Sequence, residues 1–225
     1  GSSPLPTYRE LVRRHRDGTG PSYSRVRCFT LDEYVGLPPR HPQRYLETIV
    51  AELTDDLGIP RERVEGPDPS PDGLPEAGER YEASLVAAGG VDLQVLGIGG
   101  DGHLAFNEPG SSLASLTRIK TLTERTRRDN ARFFGAVDDV PRHVLTQGLG
   151  TILRARHLLL VASGESKAPA VADAVEGPLS AACPASVLQL HPHATLLLDP
   201  GAASRLARLE HYREVFAGKP GWQGL

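Results

Sequence analysis

The chain has 225 residues, with 25 basic against 28 acidic side chains and a formal net charge of −3; 39% of its residues are hydrophobic and 24% charged. That length can bury a sizeable core, and the mildly acidic balance excludes the concentrated basic field of a general nucleic-acid binder. No apolar run approaches the roughly 20 residues of a membrane helix. Pro4 fits a first helical position ahead of an apolar stripe of Leu5, Tyr8, Leu11 and Val12, so residues 4–15 are predicted as a helix. Residues 25–30 alternate like a strand. Residues 42–57 put Tyr45, Leu46, Ile49, Val50 and Leu53 on one side of a second helix. Residues 58–73, rich in Pro, Asp and Gly, read as a surface loop, and 74–88 as a helix. Residues 91–98 form a strongly apolar strand that ends in glycines. Helices are expected over 124–134 and 145–155, and a buried strand over 157–162. A helix over 165–175, a strand over 194–198 and a helix over 202–216 complete the series. Short apolar strands separated by helices predict an α/β protein with an open, mostly parallel sheet and helices on both faces. No linker or repeat divides the chain, so 1–225 reads as one domain.

In such sheets ligands bind beyond the carboxyl ends of the strands. Three predicted strand ends carry polar clusters: TLDEY at 30–34, GIGGDGH at 97–103 and SGESK at 163–167. Parallel strands should bring them to one edge. The glycine-rich turn lets backbone approach a ligand, although a plain tight turn has the same composition. Asp101, His103 and Glu108 follow closely. Two carboxylates beside one imidazole can fix its tautomer and raise its basicity; a structural histidine among solvated acids has the same spacing. Asp32 can be a proton shuttle or merely a turn former. In SGESK the N–H groups of Ser163 and Gly164 sit at a helix start, where an anion is favoured, and Lys167 adds charge. Only Lys120, Lys167 and Lys219 are lysines among the 25 basic residues, which singles Lys167 out. Ser2 and Ser3 precede the first helix in the manner of a second anion-binding turn, and Arg132 can turn towards a phosphate. His191-Pro192-His193 lacks a third ligand at a convincing spacing, so no metal site is assigned. Cys28 and Cys183 are far apart with no CxxC, which fits a reducing compartment.

Taken together, six stretches resemble the glucosamine-6-phosphate deaminase family (glucosamine/galactosamine-6-phosphate isomerases) over nearly the whole chain. They are FTLDEYVGLPPRHPQRY at 29–45, LGIGGDGHLAFNEPGSSLASLTRIKTLTERTRRDNARFF at 96–134, GLGTILRA at 148–155, GESKA at 164–168, AVEG at 174–177 and LQLHP at 188–192. The resemblance implies a Rossmann-like fold of the NagB/RpiA/CoA transferase-like kind. It implies conversion of glucosamine 6-phosphate to fructose 6-phosphate and ammonium in the cytoplasm, with no metal and no redox cofactor. By motif position, Asp32 becomes the base that moves a proton between C1 and C2. His103 assists ring opening, with Asp101 and Glu108 setting its orientation and charge. Gly1, Ser2, Ser3, Gly97, Gly99, Arg132 and Lys167 hold the substrate and its phosphate. A second site for N-acetylglucosamine 6-phosphate, at a subunit interface of a hexamer, is implied for Ser111, Ser112, Arg118, Lys120, Thr121 and Tyr212. Family members carry a helix, a strand and the opening of the phosphate turn before the segment that matches Gly1. Residues preceding Gly1 are therefore expected in the native protein, and the 225 residues alone are expected to be weakly active and prone to aggregate. A 6-phosphogluconolactonase on the same fold and a non-catalytic sugar-phosphate regulator are the competing readings. DEYVGL followed by HPQRY, together with TRIKT, favours the deaminase, and no DNA-binding module is visible.

Overall fold

The computed structural model describes residues 4–224. In chain order the elements are α1 (Leu5–Arg16), β1 (Cys28–Phe29), β2 (Asp32–Tyr34), α2 (Tyr45–Ile49), β3 (Val64–Glu65), α3 (Ala77–Ala87), β4 (Leu93–Leu96), β5 (Arg118–Thr121), α4 (Glu124–Asn130), β6 (His143–Thr146), α5 (Leu149–Ile152), β7 (His157–Ala162), α6 (Ala168–Val175), β8 (Ala194–Leu198) and α7 (Leu209–Ala217). The most apolar runs of the sequence become one parallel sheet of order β4-β7-β8. Along β7, Leu158, Leu160 and Ala162 alternate into the core. There they meet Ala170, Val171 and Ala174 of α6, Leu149 and Ile152 of α5, and Val187 and Leu188. Each fully buried leucine contributes about 1.5–3 kcal/mol relative to exposure, so this cluster is the main stabilising unit. A smaller cluster joins Val12 of α1 to Val50, Leu57, Ile59 and Val64.

The expectation of mostly parallel sheets flanked by helices holds, since β1–β3, β4–β7 and β7–β8 are all parallel. A third sheet, of order β2-β6-β5, is antiparallel and was not expected. Residues 145–155 were predicted as helix throughout, yet Leu145 and Thr146 end β6 and only Leu149–Ile152 is α-helical. The reason lies at Gly148, where a Cβ would come within 2.0 Å of the Ser115 carbonyl oxygen. The backbone of 114–116 lies directly against this turn, and Gly150 N donates to Ser115 O at 2.8 Å. The strand predicted at 25–30 is confined to Cys28–Phe29, because β3 offers only Val64 and Glu65 as partners. The helix predicted at 42–57 starts at Tyr45 and widens into a π-wound segment over Val50–Thr54. The helix predicted at 202–216 is regular only from Leu209.

A half-buried carboxylate ties the layers. Glu82 Oε1 accepts from Thr117 N at 2.9 Å, Thr117 Oγ1 at 2.5 Å and Thr151 Oγ1 at 2.5 Å, while Oε2 meets Arg154 at 3.1 Å. This one side chain of α3 thus anchors the chain entering β5 and the turn of α5.

Candidate active site

β1 and β2 are separated by Thr30 and Leu31, and the short link drops Asp32 and Glu33 into the interior. Glu33 is 1% exposed and accepts from the backbone N–H groups of Tyr34, Tyr45 and Leu46 at 3.0, 3.1 and 3.3 Å. It caps the first turn of α2. Burial raises its pKa, although these N–H groups and Arg44 oppose the rise. Asp32 has a different environment. It is buried, and the Thr146 hydroxyl donates to its Oδ1. Burial pushes its pKa up to about 7, against the opposing pull of the Thr146 and Phe106 hydrogen bonds. A carboxyl poised near neutrality can both take and return a proton at physiological pH.

The glycine turn after β4 builds the second group. Gly99 N donates to His103 O at 2.9 Å and Gly102 N to Gly99 O at 3.1 Å, closing the loop on itself. The His103 ring lies against Gly99, where a Cβ would approach ring atoms to 2.2 Å. His103 Nδ1 stands 2.6 Å from Asp101 Oδ1, and His103 N donates to the same oxygen at 3.2 Å. Partial burial raises the Asp101 pKa, but the imidazole and the N–H prevail and hold it below its ordinary value. With Nδ1 committed to a carboxylate, Nε2 is the ring atom left for chemistry. Glu108 faces elsewhere: its Oε1 accepts from Thr123 Oγ1 at 2.9 Å and also from the Thr126 hydroxyl. Of the two acids expected beside His103, Asp101 alone is hydrogen-bonded to it among the described residues.

The loop then turns tightly, with Ala105 at φ +54. Asn107, fully buried, donates to Leu104 O at 3.0 Å and to Gln147 O at 2.8 Å. Phe106 N donates to Thr146 Oγ1 at 3.2 Å. The His103 loop and Asp32 are therefore joined through the end of β6, although β2 and β4 belong to different sheets. Sequence reasoning missed Thr146, Asn107 and Gln147. Thr146 lay inside a predicted helix, far from any motif.

The expected phosphate groups are placed less closely. Gly1, Ser2 and Ser3 lie outside the described residues. Gly97 leads into the turn as expected. Lys167 ends a short 3-10 turn, and Arg132 is exposed with its guanidinium over the Phe133 ring at 4.7 Å. Among the described residues, no hydrogen bond or ion pair links either cation to Asp32 or His103. The Gly164 N–H, expected to await an anion, is already taken: it donates to both carboxylate oxygens of Asp199 at 3.0 Å. A cavity of about 520 Å³ opens among His41, Pro42, Gln43, Phe133, Phe134 and Asp139. Asp32, Asp101 and His103 do not line it. It borders the aromatic cluster of Tyr34, Tyr45, Phe106 and Phe134.

The second set is partly dispersed. Ser111 is 3% exposed, and its hydroxyl lacks a partner among the described residues. Ser112 is exposed and its Oγ accepts from Ala114 N at 3.3 Å. Along β5, Arg118 and Lys120 are half-buried, alternating with exposed Ile119 and Thr121, so the two cations share one face. Burial lowers the Arg118 pKa. Tyr212 belongs to α7 and pairs with Glu176, whose carboxylate also accepts from Ala207 N and Arg208 N at 2.8 Å.

Residues 1–197 match the family model described as glucosamine-6-phosphate isomerases/6-phosphogluconolactonase. The chain is 60% identical to the glucosamine-6-phosphate deaminase of Arthrobacter sp. (strain FB24), over 100% of this chain and 86% of that protein. It superposes on a solved structure described as a monomeric glucosamine-6-phosphate deaminase with a TM-score of 0.87 at 40% identity, covering 91% of this chain and 85% of that one. It also superposes on 6-phosphogluconolactonase from Trypanosoma brucei with a TM-score of 0.71 at 22% identity, covering 92% and 84%, a likeness of fold alone.

Proposed function

The chain belongs to the family of glucosamine-6-phosphate isomerases and 6-phosphogluconolactonases, and from that premise we infer how its buried acid and its histidine divide one reaction. Its activity is that of a glucosamine-6-phosphate deaminase. His103, oriented by Asp101, assists opening of the sugar ring through Nε2. Asp32 then removes the proton from C2 and returns it to C1. That transfer turns the amine-bearing carbon into an imine; water adds there and ammonium leaves, giving fructose 6-phosphate.

The observation that carries this division of roles is Asp32, a buried carboxyl with a pKa near 7, tied by Thr146 to the loop of His103. Gly97 and Gly99 let backbone approach the sugar. Glu108, engaged by the Thr123 and Thr126 hydroxyls, has no hydrogen bond to the ring among the described residues, and its part in the site is supported by the family motif alone. Lys167, Arg132 and the residues Gly1, Ser2 and Ser3 receive the phosphate, an assignment supported by the family motif and the scarcity of lysine. The test is ammonia release from glucosamine 6-phosphate measured beside hydrolysis of 6-phosphogluconolactone. Saturable ammonia release with negligible lactone hydrolysis is expected, and the reverse result overturns the reading.

The same proposal extends to regulation and setting. Ser111, Ser112, Arg118, Lys120, Thr121 and Tyr212 form a site for N-acetylglucosamine 6-phosphate at the interfaces of a hexamer. It is supported by the paired cations on one face of β5 and the unpartnered buried hydroxyl of Ser111. Tyr212 stands beside Glu176 within its own chain, and its part in the site is supported by the family motif alone. A cytoplasmic setting suits the two free cysteines. Sedimentation with and without N-acetylglucosamine 6-phosphate, alongside its effect on the apparent KM, tests the arrangement. A monomer that ignores this ligand refutes it.

A further inference from the structure

We propose that Thr146 is the positioning residue of Asp32, its hydroxyl fixing the carboxylate and coupling it to the loop that carries His103. The inference rests on the reading of Asp32 as the proton-transfer base. Thr146 is the last residue of β6 and stands directly opposite Asp32 in the antiparallel register of β2 and β6. It is fully buried. Its Oγ1 accepts from Phe106 N at 3.2 Å and donates to Asp32 Oδ1. A second acceptor, the Gln147 carbonyl oxygen, lies 3.3 Å away.

A hydroxyl has one proton to give and lone pairs to receive with. With Asp32 ionised, the proton goes to the carboxylate, because charge-assisted bonds are the stronger ones. With Asp32 protonated, the hydroxyl can rotate to Gln147 O. That carbonyl is held in place by Asn107 Nδ2 at 2.8 Å. Each protonation state of Asp32 therefore leaves Thr146 satisfied, so cycling the base strands no buried polar group. Phe106 and Asn107 are neighbours in the loop that begins at His103. Both grip the end of β6, so the histidine loop and the carboxylate are referenced to the same two residues. Burial raises the proton affinity of Asp32 and the Thr146 hydrogen bond opposes it, which keeps the group from being permanently protonated at neutral pH.

Thr146→Val removes the hydroxyl and nearly preserves shape; Thr146→Ala removes it without the bulk and carries the test if the valine variant does not fold. With ammonia release as the assay, kcat should fall about 10- to 100-fold while KM changes little. The acid limb of kcat/KM should move to higher pH by about one pH unit, since losing a donor to a carboxylate raises its pKa. Thr146→Ser should recover most of the loss. A purely structural threonine would not move the pH profile. Parent kcat and parent pH profile in a folded valine or alanine variant, while Asp32→Asn is inactive, overturn the proposal. Parent turnover in Asp32→Asn instead overturns the reading of the base itself.

Discussion

Replacing Gly99 by alanine puts a methyl carbon where the His103 imidazole now lies. A Cβ at that position would be 2.2 Å from Cε1 and from Nδ1, and 2.5 Å from Nε2. Ordinary van der Waals contact begins only at 3.4 Å. Three ring atoms are struck at once, so no small rotation relieves the overlap, and the whole ring must move away. Moving it breaks the 2.6 Å contact of Nδ1 with Asp101. The two side chains are each 29% exposed, so the displaced ring finds room towards solvent and the fold survives, at a cost of about 1 kcal/mol. Catalysis is less forgiving, since a misplacement of about 1 Å costs about 10²-fold. In an ammonia-release assay kcat/KM should therefore fall about 100-fold, with a cooperative thermal transition retained. An open-chain analogue, which needs no ring opening, should suffer less. A folded Gly99→Ala protein turning over within about threefold of the parent would refute the placement of His103 as the ring-opening group.

Asp32→Asn keeps shape but removes basicity, and turnover should drop by about 10²–10⁴; in the parent, kcat/KM should rise with pH through about 7 as Asp32 ionises. The same raised pKa predicts that the stability contributed by the neutral carboxyl is present at low pH and lost as pH rises towards 7, so calorimetry should find Asp32→Asn melting above the parent at pH 8, with the gap closing as the pH falls towards 4. Lys167→Ala should raise KM for glucosamine 6-phosphate by about 10- to 100-fold and leave weak turnover of unphosphorylated glucosamine unchanged; equal losses on both sugars count against a phosphate role. Glu82→Ala strips the anchor from Thr117, Thr151 and Arg154, and urea denaturation should register a loss of about 2–3 kcal/mol, a change below measurement error being the contrary result.

The sequence by itself determined that β4, β7 and β8 are strands and which family the chain belongs to. The strand predicted at 194–198 coincides with β8, and that at 157–162 with β7, because both are dense apolar runs bounded by polar and turn residues, a signal that needs no knowledge of the partner strand. Asp101 and His103 are two residues apart, so their contact is local and follows from the turn that Gly99 and Gly102 permit. The family was legible for the same reason, its motifs being contiguous stretches of chain. Only the tertiary structure decided what Asp32 touches. Its hydroxyl partner, Thr146, lies 114 residues away, at the end of a strand whose four residues carry no periodic signal of their own. The antiparallel sheet of β2, β6 and β5 went unread because its strands are short and half polar, and pairing defines them more than composition does. The Gly164 N–H likewise met Asp199 of the next strand end. A buried polar group must find a partner, but topology chooses which one, and no spacing along the chain records that choice.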